Sequence, residues 1–344
     1  MLFALRTPDG SVLAPDGRLV FMSLVRFVEC VVEGDDCFVC GATRTGTAFN
    51  KEHVLPDWIL RRYGLHSSEI TLPHGESHRY GTYRIPCCGS CNALLSKTFE
   101  LPISDVCRGG HVAIADHMRA GYGGQLFLWL ALIFLKSHLK DLELARHLDR
   151  RKGGERVGDT HPWEEIHYIH CLVRAVYTGA VIRPEAFGTL ILLPAALEPN
   201  VPPFDLIDLT QLQTIVLRMD DFVLAAVLND SGAVRLGLRG MLDQIAAPLT
   251  AVQVRELAAH LGCCNAHLLN RPTFQTRIDL RQPPHVFIEG EHTSSPSFAA
   301  RDAAVFGALL HRLLKDVRSN LRVADIPETE VDEAIKAGRV SFLG

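Results

Sequence analysis

The chain has 344 residues, room for two domains of ordinary size. With 47% apolar and 22% charged residues its composition is globular, which excludes a disordered or fibrous chain. Thirty-five basic against 39 acidic side chains give a formal charge of −4, so the molecule has no global field for nucleic acid and any such contact must be local.

Arg6, Asp9, Asp16, Arg18 and Arg26 break up the first thirty residues, which therefore lack the apolar core of a secretory signal. Pro8-Asp9-Gly10 and Pro15-Asp16-Gly17 are turn signals, so residues 1–33 are expected to form a leader or loose hairpin, with Met22 a candidate internal start. From 34 to 110 the chain is dense in His, Cys, Gly and Pro, with strands expected over 69–72 and 80–85. A texture change near 105–120 marks the expected boundary with a larger mixed region, 120–344. There, helices are predicted over 124–149, ending in a charged stop at 149–154, and over 164–177, 252–261 and 299–318. Strands are predicted over 189–193 and 213–218. A hairpin is predicted from 222–228 and 233–238 around Asn229-Asp230-Ser231-Gly232. The longest apolar run, 126–135, is half a membrane span and predicts a buried core helix. The overall expectation is an α+β fold in a cytoplasmic, reducing setting.

Five of the ten cysteines fall in two clusters, and the scattered Cys30, Cys107, Cys171, Cys263 and Cys264 suit small buried side chains. Cys37-Phe38-Val39-Cys40-Gly41 and Cys88-Gly89-Ser90-Cys91 are CxxC knuckles, each with a glycine for its turn. Two intervening residues let both sulfurs of a pair reach one ion, and two such pairs point to one structural zinc on Cys37, Cys40, Cys88 and Cys91. Cys87 competes with Cys88 for the fourth place, but the two-residue spacing of Cys88 and Cys91 closes the better-formed loop.

Between the knuckles stands Glu52-His53-Val54-Leu55-Pro56. Asn92 follows the second knuckle, and Glu100 lies eight residues on. Across residues 37–103 this combination resembles the HNH endonucleases, whose pattern is an acid before His-x-x-Pro, then CxxC-Asn, then a helix with a further ligand. Glu100 departs from that pattern, standing where His or Asn is usual. The resemblance implies an N-terminal ββα-metal module over 34–110 built round the zinc. His53 would be the general base and Asn92 an orienting group, with Glu52 and Glu100 holding catalytic Mg²⁺ or Mn²⁺. It also implies phosphodiester hydrolysis in nucleic acid, with DNA the expected partner, and by analogy alone a place in bacterial defence. Arg61, Arg62, Arg79, Arg84 and Lys97, with His66, His74 and His78, would supply a local basic surface. Residues 120–344 would serve target choice, oligomerisation or a partner protein. The competing expectation is a zinc-binding scaffold or nucleic-acid-binding module without catalysis. His161, His167 and His170 around Trp163 suit satisfied positions on a helix better than a second metal site.

Overall fold

The computed structural model describes residues 5–71, 77–142, 144–146, 151, 153–279, 285–291, 295–315, 317, 321, 326–327 and 329–343. His74, Leu72 and part of the charged stop at 149–154 lie outside them. In chain order β1 (Leu5–Arg6), β2 (Val12–Leu13) and β3 (Leu19–Phe21) precede α1 (Leu24–Arg26). Then come β4 (Phe49–His53), α2 (Asp57–Arg62), β5 (Glu69–Thr71), β6 (Ser77–Arg79), β7 (Arg84–Cys88) and α3 (Gly89–Leu95). Helices α4 (Leu101–Arg108), α5 (Gly110–His117), α6 (Gly123–Asp141) and α7 (Trp163–Thr178) follow. Next are β8 (Val181–Ile182), β9 (Thr189–Pro194), β10 (Phe204–Leu209), β11 (Thr214–Met219) and β12 (Phe222–Val227). Helices α8 (Ala233–Gly237), α9 (Arg239–Gln244) and α10 (Ala251–Ala266), strands β13 (Thr273–Asp279) and β14 (His285–Glu291), and helices α11 (Ala303–Leu313) and α12 (Val331–Lys336) complete the chain. The mixed α+β class is as expected.

The chain divides into two units, each discontinuous in sequence. The first is Met1–Val106, Gly124–Ala186 and Phe274–Gly290; the second is Cys107–Gly123, Phe187–Thr273 and Glu291–Gly344. The expected segments 34–110 and 120–344 differ from these units: residues of α6 and α7 are grouped with the cysteine-rich residues. The expected leader of 1–33 is also more ordered than a loose hairpin: β1, β2 and β3 form an antiparallel meander.

In the first unit β4 pairs antiparallel with β7, and α3 follows β7 directly. Of 80–85, read as a strand, residues Tyr80–Thr82 form a 3₁₀ turn and the strand begins at Arg84. The apolar run 126–135 lies in α6, whose residues Leu126, Phe127 and Trp129–Leu135 are all buried.

The second unit is built on the antiparallel sheet β10–β11–β12–β9. Ile207, Val216, Val223, Ala225 and Val227 of the sheet share a core with Val254, Leu257, Ala258 and Leu261 of α10. The hairpin expected at 229–232 falls elsewhere: β11 and β12 turn at Asp220-Asp221, and residues from Ala233 form α8. The buried Asp230 carboxylate explains the difference. It accepts hydrogen bonds from the Val234 and Gly232 amides, which start the helix, and from Thr189 N and Oγ1 on β9. A side chain so placed supplies the helix with a cap and leaves no strand ladder to form.

Candidate metal centre and adjoining histidine site

The first knuckle closes through Gly41, at φ 72°, whose amide bonds back to Cys37 O at 2.8 Å. The second opens α3, with Cys88 at the position before its first residue. The β4–β7 pairing holds the two together, and the Cys88 amide points at Cys37 Sγ, 3.5 Å away. The sulfurs of Cys37, Cys40, Cys88 and Cys91 all lie within 4.8 Å of one another, with Cys40 and Cys88 at 3.6 Å. Four sulfurs at about 2.3 Å from one tetrahedral ion sit roughly 3.8 Å apart, so the set can hold a metal such as zinc. Cys87 Sγ approaches Cys37 at 4.0 Å but stands outside this set. Without a cation the thiols compete for charge. The Cys37 thiol is held far below its ordinary range by hydrogen bonds from Cys40, Cys87 and Cys91, while Cys40, donating to Cys37, is pushed up to about 12. A dication relieves that competition by taking the protons' place on all four sulfurs.

Helix α7 supports the first knuckle from behind. His170 Nε2 lies 2.6 Å from Phe38 O, Arg174 Nε donates to Val39 O, and its Nη2 donates to Leu19 O. Both side chains are buried. Burial holds the His170 pKa well below its ordinary value, and Nδ1 has no partner, so the neutral ring carries its proton on Nε2 and donates it. His167 Nε2 meets Met22 O at 2.9 Å, and the His161 ring packs edge-on against His138. The three histidines near Trp163 therefore do not converge on an ion.

At the end of β4 the alternation of the strand sends Glu52 inward and leaves His53 half-buried. Glu52 meets Lys136 of α6, a lysine with 0% exposure. Its Nζ lies 2.8 Å from Glu52 Oε1, 2.8 Å from His53 O and 4.0 Å from Glu100 Oε1. Glu100 closes the turn of helix after α3. Burial pushes its carboxyl up to about 7, with Glu52 adding to the shift and Lys136 opposing it. The two carboxylates expected to hold a divalent ion thus both face a buried lysine. The Lys136 ammonium occupies the space between them and balances the charge of Glu52, the nearer carboxylate, while Glu100 lies 4.0 Å away with a raised pKa.

His53 instead faces Asp57 and His66. One ligand atom from each of the three lies within 4.8 Å of the others, and His66 Nε2 is 3.2 Å from Asp57 Oδ1. His53 Nε2 is buried without a hydrogen-bond partner. Its pKa is lowered, first by burial and then by Arg84, which stands directly opposite on β7. The ring is thus neutral near pH 7. Trp58 of α2, half-buried, stacks on buried Trp129 with ring centroids 6.1 Å apart.

Asn92 is expected to orient His53 through the local backbone. It lies half-buried in the fourth position of α3, and among the described residues no hydrogen bond joins it to His53. Three of the five basic residues have contacts of their own. Arg61 is bound to Asp57 at 2.7 Å, the Arg62 guanidinium lies over the Tyr63 ring, and Arg84 Nε donates to Gly81 O. Arg79 and Lys97 are exposed. Sequence reasoning missed Lys136, Asp57, Arg174 and the pairing of His66 with His53. One signal was available for the first: Lys136 directly follows ten apolar residues, where a buried cation requires an acid. Comparison with protein families, curated proteins and solved structures returns no match for the chain.

Proposed function

We propose that the chain is an HNH-type endonuclease that hydrolyses phosphodiester bonds in nucleic acid, DNA being the expected substrate, with His53 as general base. The observation that carries this is the β4–β7–α3 order with a four-cysteine cluster at its base and a neutral, unpartnered imidazole at the far end of β4. In the proposed reaction His53 Nε2 takes a proton from water as the water oxygen bonds to phosphorus. The P–O3′ bond then breaks, and the leaving oxygen is protonated from solvent. Arg84, opposite His53, supplies positive charge for the non-bridging oxygens. Mg²⁺ or Mn²⁺ belongs to the family pattern, and here Lys136 faces Glu52 and Glu100, the acids that pattern would give to the ion.

The buried Lys136 also favours a second reading, a zinc-binding scaffold in which Glu52 serves packing alone. Cleavage of plasmid DNA, single-stranded DNA and RNA with Mg²⁺, Mn²⁺ or EDTA separates the two. Wild type should cut, and His53→Ala should cut about 10²–10⁴-fold more slowly with its fold and zinc intact. Equal cleavage by both proteins rejects the catalytic assignment.

A further inference from the structure

We propose that His53, Asp57 and His66 form a second metal site, distinct from the four thiols, for a divalent transition ion such as Zn²⁺, Co²⁺ or Ni²⁺. Only the consequence for cleavage rests on the function proposed above.

The three donors come from one short stretch whose backbone fixes them. His53 ends β4, Pro56 enters α2 in an extended conformation, and Asp57 is the first residue of that helix. Gly64, at φ 64°, then turns the chain into the 3₁₀ helix Leu65–Ser67, which brings His66 back over the start of α2. Stacking of Trp58 on Trp129 anchors α2. Donors bound at about 2.0–2.2 Å to one ion lie roughly 3–3.6 Å apart. The His66–Asp57 pair is already at 3.2 Å and all three ligand atoms are within 4.8 Å, so small side-chain rotations close the set.

Two further observations point to a ligand. Arg61 Nε holds Asp57 Oδ2 at 2.7 Å, which leaves Oδ1 turned towards His66, the kind of outer hydrogen bond that orients a metal carboxylate. His53 Nε2 is desolvated and has no partner, a cost that a metal bond would offset. Two imidazoles and one carboxylate favour Zn²⁺, Co²⁺ or Ni²⁺ over Mg²⁺ or Ca²⁺, and three protein ligands leave a position open for water. The neighbouring cations Arg61 and Arg84 make the site weaker than the thiol cluster, so its ion exchanges. An ion here takes the lone pair that would accept the proton of water. Zn²⁺, Co²⁺ or Ni²⁺ beyond the first equivalent should therefore suppress cleavage, whereas Mg²⁺ should not.

The test titrates Co²⁺ into the full chain carrying its structural zinc. The expected result is one further equivalent bound, with the weak visible absorption of nitrogen- and oxygen-ligated cobalt and without intense sulfur-to-cobalt charge transfer. His66→Ala and Asp57→Ala should each weaken this binding by about tenfold or more, while Glu100→Gln leaves it unchanged. The His66 side chain is 43% exposed, so its removal should spare the fold, which tryptophan fluorescence checks. No second equivalent, cobalt entering only the thiols, or undiminished binding by His66→Ala overturns the site. Cobalt binding without any cleavage would sustain the site and reject the nuclease. Cleavage unaffected by Co²⁺, with no second equivalent bound, would do the reverse.

Discussion

Removing the Lys136 ammonium tests how the end of β4 is held. In Lys136→Met a side chain of similar length keeps the apolar stem but leaves Glu52 buried without its 2.8 Å partner and His53 O without its donor. Breaking a buried ion pair from one side costs about 3–5 kcal/mol, because the remaining charge is left desolvated. All three tryptophans, Trp58, Trp129 and Trp163, belong to the first unit, so their fluorescence during urea unfolding reports this unit selectively. With a slope of about 2 kcal/mol per molar urea, the midpoint should fall by roughly 1.5–2.5 M. Adding Glu52→Gln removes the orphaned charge and should recover about half of the loss or more. A fall below about 0.5 M, or a double variant no more stable than Lys136→Met, would refute the assignment of Lys136 as the buried counter-ion.

The thiol set predicts that Cys40→Ser loses zinc, measured by elemental analysis of purified protein, while Cys87→Ser keeps it; zinc loss on Cys87→Ser alone would exchange the roles of Cys87 and Cys88. Burial lowers the His161 pKa to about 4 from 6.5, so the unfolded chain binds the extra proton first and stability is lost as pH falls from 6.5 towards 4. That loss is about 2–3 kcal/mol by pH 4.5. His161→Phe should remove it, and urea midpoints at pH 7 and 4.5 that shift equally in both proteins would show that His161 carries none of the acid sensitivity.

What the sequence made legible was local. The CxxC pairs announce a metal cluster because ligand spacing is set within four residues, and helices such as α7 and α10 show because their apolar residues recur with the turn. The groups that complete the site were hidden by distance along the chain. Lys136 reaches Glu52 across 84 residues, and Arg174 reaches Val39 across 135, with no motif to link them. The Asn229–Gly232 segment misled for the opposite reason. Its composition suits a hairpin, but Asp230 spends its oxygens on Thr189 and Val234, and that choice depends on a strand forty residues away. Glu52 and Glu100 show the limit of reading by spacing: their positions suggested a metal pair, while Lys136, which faces both, sits on another helix.

The tie between Arg174, His170 and the carbonyls of Phe38, Val39 and Leu19 also sets a timetable for biosynthesis. All four cysteines of the cluster have been made once Cys91 is added, yet the donors that satisfy the first knuckle arrive only with α7, some eighty residues later. At ribosomal speeds of about 5–20 residues per second, the nascent thiols wait on the order of ten seconds before their backing is in place. During that interval they are open to oxidation and to other soft ions. Which metal such a cluster takes up is accordingly a matter of delivery and timing as well as of affinity.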